Sequence, residues 1–145
     1  KVSLGVAATK LGMPGKARNE EGESILTSEG KLLMGNLQAQ RDWGHAQDYV
    51  RAMWLMLQQS TPDDYIVATG KLHSVEDLLS VAYGHVGLDW REHVVVDSRF
   101  LRPTEIAAVY SDAEKARRVL GWEPTSTFEQ LIQEMIEADI NHLQK

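Results

Sequence analysis

Three helix-capping sequences constrain this fold more than any other feature: Ser74-Val75-Glu76-Asp77, Ser111-Asp112-Ala113-Glu114 and Thr127-Phe128-Glu129-Gln130. In each, a hydroxyl can accept from the backbone N–H three residues on, while the acid or amide at that third position reaches back. Apolar residues at helical spacing follow: Val75, Leu78, Leu79, Ala82 and Val86 after the first, and Phe128, Leu131, Ile132, Met135, Ile136 and Ile140 after the third. Gly87 offers a left-handed stop for the first helix, and Leu120-Gly121-Trp122-Glu123-Pro124 closes the second with a glycine and a proline in the expected order.

Two more helices follow from period alone. Ala46 to Gln59 places Ala46, Tyr49, Val50, Met53, Trp54, Met56 and Leu57 on a broad apolar face, and ends before Ser60-Thr61-Pro62 because a residue preceding proline leaves the helical region. Lys1 to Leu11, with Val2, Val6, Ala7 and Leu11 on one side, predicts another. Lys31 to Met34, Tyr65 to Thr69 and His93 to Asp97 are short apolar or β-branched runs that predict strands. Alternating with helices, they imply an α/β, helix-rich fold in which about five helices cover a small mixed sheet. The segment 12–30, rich in Gly, Glu and Ser, reads as a long exposed loop of the composition that favours disorder.

At 145 residues, 43% of them apolar, the chain suits a single domain, 1–145, with a core of useful size. The net charge of -6 argues against a nucleic-acid surface but leaves room for local cationic anchors. The longest apolar run, Ala52 to Leu57, is far too short to cross a bilayer, and the absence of cysteine suits a reducing compartment; the expectation is a cytoplasmic protein with no membrane partner.

Several chemistries lack their signatures. No glycine pattern forms the G-x-G-x-x-G turn of a dinucleotide fold or a Walker loop, and no Tyr is followed four residues later by Lys. The histidines show no ligand spacing with one another or with carboxylates, so no metal site is expected. No catalytic constellation can be assembled from the residues present.

The candidate ligand anchors are Asn36, Arg41, Arg102 and Glu105. Two guanidiniums on fixed loops could grip a diphosphate bidentately, a geometry that lysine cannot reproduce. Spacing alone favours a plainer outcome, in which Arg41 pairs with Asp42 or Asp48 and Arg102 with Glu105 as surface ion pairs worth less than about 1 kcal/mol. Asn36 after Gly35 is more often a turn residue than a base reader. For Trp43, Tyr49, Trp54 and Trp122, core packing outweighs stacking on a base, and His45 at a helix start is better read as a local cap or surface residue than as an acid or base.

The run Leu33-Met34-Gly35-Asn36-Leu37-Gln38-Ala39-Gln40-Arg41-Asp42-Trp43-Gly44-His45, continuing through Trp54, resembles the C-terminal part of GDP-mannose 4,6-dehydratases, members of the extended short-chain dehydrogenase/reductase superfamily. Tyr65-Ile66-Val67-Ala68-Thr69-Gly70 with His73-Ser74-Val75, then Phe100-Leu101-Arg102-Pro103-Thr104-Glu105, then Lys115 through Pro124 extend the likeness in the same order. The L-G-W-x-P ending is common to many nucleotide-sugar enzymes, whereas G-N-L, R-D-W-G-H and R-P-T-E together are similar to this family in particular.

The resemblance implies the smaller, substrate-binding portion of the enzyme, closing over a sugar nucleotide held against a Rossmann domain. It places Gly35 and Asn36 on the nucleoside, Arg41 and Arg102 on the diphosphate or ribose, Glu105 on a hydroxyl or guanine edge, and Lys1 near the phosphates. The ligand would be GDP-mannose or GDP. The family reaction oxidises C4 of the mannose with NADP, eliminates water across C5 and C6 and returns the hydride to C6, using catalytic residues upstream of those matched here. NADP is therefore expected to serve the complete enzyme and not to bind this chain alone, whose partners would be the missing Rossmann domain and, in addition, a second copy in a homo-oligomer. Glu20, Glu21 and Glu23 in the long loop would sit badly beside an anion and are expected to point away. Two other readings stand beside this one: a related GDP-sugar reductase or epimerase, and a non-catalytic interaction module derived from such an enzyme.

Overall fold

The computed structural model describes residues 1–101, 108 and 110–145. In chain order the elements are α1 (Val2–Leu11), β1 (Leu32–Met34), β2 (Gln40–Arg41), α2 (Ala46–Leu57), β3 (His73–Ser74), α3 (Val75–His85), the single turn α4 (Trp90–His93), β4 (Val94–Val96), a π-helical turn Ala116–Leu120 and α5 (Phe128–Leu143). This is a mixed α/β architecture, as anticipated, but its strands form two separate pairs among the described residues. β1 runs parallel to β4, with Leu32 opposite Val94 and Met34 opposite Val96, and β2 runs antiparallel to β3, with Arg41 opposite His73.

The larger core lies where α1, α3 and α5 meet over β1. Val6, Ala7 and Ala8 of α1, Leu79, Ala82 and Tyr83 of α3, and Ile132 and Ile136 of α5 are buried together with Leu32. Gly5 lets α1 approach β1 closely, since a Cβ there would lie 2.7 Å from Leu32 Cδ1. Helix ends are closed by cations as well as by glycines: Lys10 Nζ donates to the Val86 carbonyl at 3.0 Å and Lys16 Nζ to the Leu143 carbonyl at 2.8 Å, satisfying acceptors at the ends of α3 and α5. A second, smaller core gathers Ala52, Ala68, Ala113, Ala116, Leu120 and Trp122 beneath α2.

Both outer capping boxes form, Ser74 with Asp77 and Thr127 with Gln130. The middle one does not. Asp112, one residue beyond the expected Ser111, accepts from the Glu114 N–H at 2.8 Å, and the short helix there widens into the π turn before Gly121 stops it at φ 62°. A carboxylate one residue nearer the helix start meets the same free N–H and carries a charge that the helix N-terminus favours.

Three expectations need correction. Segment 12–30 is only partly an exposed loop: residues 18–24 are exposed, while Ala17, Ile25 and Leu26 are buried in the larger core and backbone bonds from Ile25 to Ala17 and from Leu33 to Ile25 order the segment. Its apolar residues escaped notice because they are isolated among Gly, Glu and Ser. On α2, Tyr49, Ala52, Leu55 and Met56 face the smaller core, whereas Val50, Met53, Trp54 and Leu57 point outward, with Trp54 59% and Leu57 82% exposed. The helix is apolar on both sides, so period alone could not choose between them. Tyr65 to Thr69 forms no regular element and pairs with no strand among the described residues; Ala68 is buried, Tyr65 and Val67 pack against the smaller core, and Ile66 faces out. No helix is long and apolar enough to cross a membrane among the described residues.

Candidate functional site

The C-terminal ends of β1 and β4 bring two of the predicted residues together. The Asp97 N–H extends the ladder to the Met34 carbonyl at 2.8 Å, and the next residue on β1's side, Gly35, then lies against the Phe100 main chain. A Cβ at Gly35 would stand 2.5 Å from the Phe100 carbonyl oxygen, so only glycine allows this approach. Lys1, at the start of α1, places its Nζ 4.1 Å from the centre of the Phe100 ring. Burial lowers the Lys1 ammonium's pKa, an effect opposed by the Asp97 charge. Asp97 itself is held below the usual carboxylate range, chiefly by the Arg99 guanidinium, whose Nη2 donates to its Oδ2 at 2.6 Å.

Asn36 follows directly, and its side-chain oxygen accepts from the Gln38 N–H at 2.9 Å. That is the turn role which its residue type favours. The Leu37 and Ala39 carbonyls then accept from the Glu76 and Val75 N–H groups, which docks this run onto the start of α3.

Arg41 is held separately, on the β2–β3 ladder opposite His73, with its Nη1 donating to the Gln40 carbonyl at 2.6 Å. The two acids considered as its partners are engaged elsewhere. Asp42 accepts from Thr69 and Gly70, and Asp48 accepts from Thr125 and Ser126 and pairs with Arg51 at 3.3 Å. Arg102 and Glu105 lie outside the described residues.

A cleft of about 250 Å3 opens beside this ladder, lined by Trp43, Lys71, His73, Thr127, Phe128 and Glu129 among others, and none of the described candidate anchors, Lys1, Gly35, Asn36 and Arg41, lines it. The His73 ring stacks on Phe128 at 3.8 Å, and Trp43 stacks on the same ring at 5.7 Å. Trp43 and Trp122 pack internally as expected; Trp54, on the outer face of α2, does not. His45 is a cap, as its position suggested: its Nδ1 accepts from the Gln47 N–H at 3.1 Å.

Two residues matter more than sequence reasoning allowed. Asp42 and Asp48 do more than neighbour Arg41, since each carboxylate fastens a distant loop. The available signal was the pairing of an acid with a downstream Thr-Gly or Thr-Ser, whose adjacent donors suit one carboxylate.

Solved structures share this architecture. RMD from Pseudomonas aeruginosa, complexed with NADPH, superposes with a TM-score of 0.78 at 18% identity over 97% of this chain and 41% of that one. A UDP-glucose 4-epimerase from Thermotoga maritima, with UDP-glucose, gives 0.74 at 20% identity over 98% and 40%. The chain thus shares its fold with part of each of these proteins.

Sequence narrows the class. Residues 22–135 match the family model for GDP-mannose 4,6 dehydratase, and the chain belongs to that family. GDP-mannose 4,6 dehydratase 1 of Arabidopsis thaliana is 54% identical over 110 residues, 76% of this chain and 30% of the relative, and the Homo sapiens enzyme is 41% identical over 124 residues, 74% and 33%. The chain spans about a third of the length of these relatives.

Proposed function

We propose that this chain is a single GDP-sugar-binding domain of a GDP-mannose 4,6-dehydratase, holding GDP-mannose or GDP through Lys1, Gly35, Asn36, Arg41, Arg102 and Glu105. The observation that carries the reading is the contact of Gly35 with the Phe100 backbone. It sets the G-N-L run and the start of the F-L-R-P-T-E run side by side, the two stretches from which a nucleotide diphosphate would be gripped. Gly35 lets the two runs meet, Lys1 reaches Phe100 from α1, and Arg41 is carried separately on the β2–β3 ladder. Their cationic groups supply the charge that a diphosphate needs.

The residues described here do not build a dinucleotide cradle. The parallel pair β1–β4 leads into Gly35-Asn36 and Asp97-Ser98, neither of which is a glycine-rich turn feeding a long helix. NADP, which oxidises and re-reduces the sugar in the complete enzyme, belongs by this reading to a Rossmann domain outside the matched third. The role of this chain is to bind and orient the GDP-sugar. One feature supports docking on such a domain, the outward row Val50, Met53, Trp54 and Leu57 on α2.

Calorimetric titration with GDP-mannose and GDP tests the proposal. Weak, saturable binding is expected, since only part of the pocket wall is present to preorganise the ligand. Arg102→Ala should weaken it roughly tenfold or more, the loss of a hydrogen bond to a charged group being about 1.5 kcal/mol or greater. A folded chain that binds neither ligand would remove the site and leave a docking module.

A further inference from the structure

The geometry points to Asp42 as the positioning residue for Arg41, its carboxylate clamping the arm that carries this arginine to the Thr69-Gly70 turn. The inference rests on the reading of Arg41 as a diphosphate ligand. It adds a residue that touches no part of the sugar nucleotide.

Three donors converge on one carboxylate. Asp42 Oδ1 accepts from the Thr69 N–H at 3.1 Å and from the Thr69 hydroxyl at 2.7 Å, and Oδ2 accepts from the Gly70 N–H at 2.8 Å. Gly70 has φ 76°, a conformation that turns its N–H toward the acid and that a side chain would resist. The turn is held from behind as well, where Arg117 Nη2 donates to the Thr69 carbonyl at 3.5 Å. On the other flank, Gly44 admits the Tyr49 phenol and the Thr69 methyl so closely that a Cβ would lie 2.2 Å and 3.0 Å from them. Burial, then the charges of Asp42 and Asp48, raise the pKa of that phenol.

Arg41 needs such support. Its ladder with β3 is two residues long, Gln40 opposite Ser74 and Arg41 opposite His73, and a pair that short is marginal by itself. With β3 on one side and the Asp42 clamp immediately after it, the Arg41 backbone is fixed at both ends. A long side chain projecting from a fixed backbone loses less freedom when it meets an anion. Asparagine at 42 keeps the shape but places an NH2 donor where a carboxylate oxygen accepts, so one of the three donors meets another donor.

The test compares wild type, Asp42→Asn, Arg41→Ala and the double variant by GDP titration, with Asp112→Ala as a control that removes a helix cap elsewhere. Asp42→Asn should weaken GDP binding at least tenfold, and the double variant should bind no worse than Arg41→Ala alone. Asp112→Ala should lower the melting temperature without moving the affinity by more than twofold. The Arg41 Nε–H resonance provides a readout independent of ligand: it should be dispersed in wild type and in Asp112→Ala, and collapse toward the random-coil position in Asp42→Asn. Equal GDP affinity in wild type and Asp42→Asn, additive losses in the double variant, or an unmoved Arg41 resonance would each overturn the assignment. If wild type itself binds no GDP, the diphosphate reading fails and the resonance alone decides whether Asp42 positions Arg41.

Discussion

The indole N–H of the fully buried Trp122 donates to the main-chain carbonyl of Asp48 at 2.7 Å, and the Asp48 carboxylate in turn holds the strand of chain that leads away from Trp122. The Thr125 hydroxyl donates to it at 2.6 Å, and the Thr125 and Ser126 N–H groups at 3.0 and 3.1 Å. Arg51 adds an ion pair with the carboxylate and donates to the Glu123 carbonyl. One residue on α2 thereby joins the smaller core to the start of α5.

Asp48→Ala is expected to cost about 2–3 kcal/mol, because three donors lose a charged acceptor in a site only 3% exposed. Denaturant unfolding of both proteins checks this, and a loss below about 0.5 kcal/mol would show that water replaces the carboxylate without penalty.

The same group predicts an acid response. Burial acts to raise the Asp48 pKa, but the Thr125 hydroxyl, the Ser126 and Thr125 N–H groups and the Arg51 charge outweigh it and hold the pKa below the usual range. With the folded pKa depressed, the unfolded chain takes up its proton first as pH falls. The stabilisation is therefore complete above the unfolded value of about 4 and lost progressively below it. Between pH 6 and 3, on the order of that range, the melting temperature of Asp48→Asn should fall less steeply than that of wild type; parallel curves would contradict the linkage.

Gly35→Ala should displace the end of β1 from Phe100, since the added methyl meets a backbone carbonyl and not the tip of a flexible side chain. Overpacking of this kind costs about 1–3 kcal/mol. Amide exchange of Asp97, whose N–H bonds Met34, should accelerate in the variant while that of α5 stays near wild type.

His45→Ala should lower stability by about 1 kcal/mol, and His45→Asn should recover most of it, because asparagine is a strong N-cap acceptor. The imidazole Nδ1 accepts from Gln47, so Nε2 carries the proton and faces Glu134 Oε2 at 3.0 Å. Nitrogen-15 shifts of the ring reveal the tautomer directly, and a protonated Nδ1 at neutral pH would contradict this cap.

The outward row on α2 predicts self-association of the isolated chain. Light scattering across a concentration series should show a species larger than a monomer, and Trp54→Glu with Leu57→Glu should return it to monomer at unchanged helicity. A strictly monomeric wild type would show that these side chains tolerate water as they stand.

Much of the fold was legible because it is local. A cap and its helix lie within three residues of one another, so Ser74 and Thr127 announced α3 and α5 correctly, and Gly121 stopped its helix where its letter suggested. Of the candidate anchors, Gly35 and Lys1 converge on Phe100, while Asn36 adopts the turn role and Arg41 occupies a two-residue ladder too short to leave a periodic trace.

By itself, then, the sequence determined the starts of α3 and α5, the glycine stop at Gly121, the two strands of the parallel pair and, through its ordered motifs, the family. Only tertiary structure decided which side of α2 is buried, that Tyr65 to Thr69 finds no ladder partner among the described residues, and that isolated apolar residues order the 12–30 segment. It alone turned Asp42 and Asp48 from surface acids into clamps. The physical reason is range: a cap is satisfied by its neighbours, whereas Asp42 meets its donors 27 and 28 residues away and Asp48 meets its own 77 and 78 residues away. Separations of that length are closed by the packing of the cores and leave no pattern in the local order of residues.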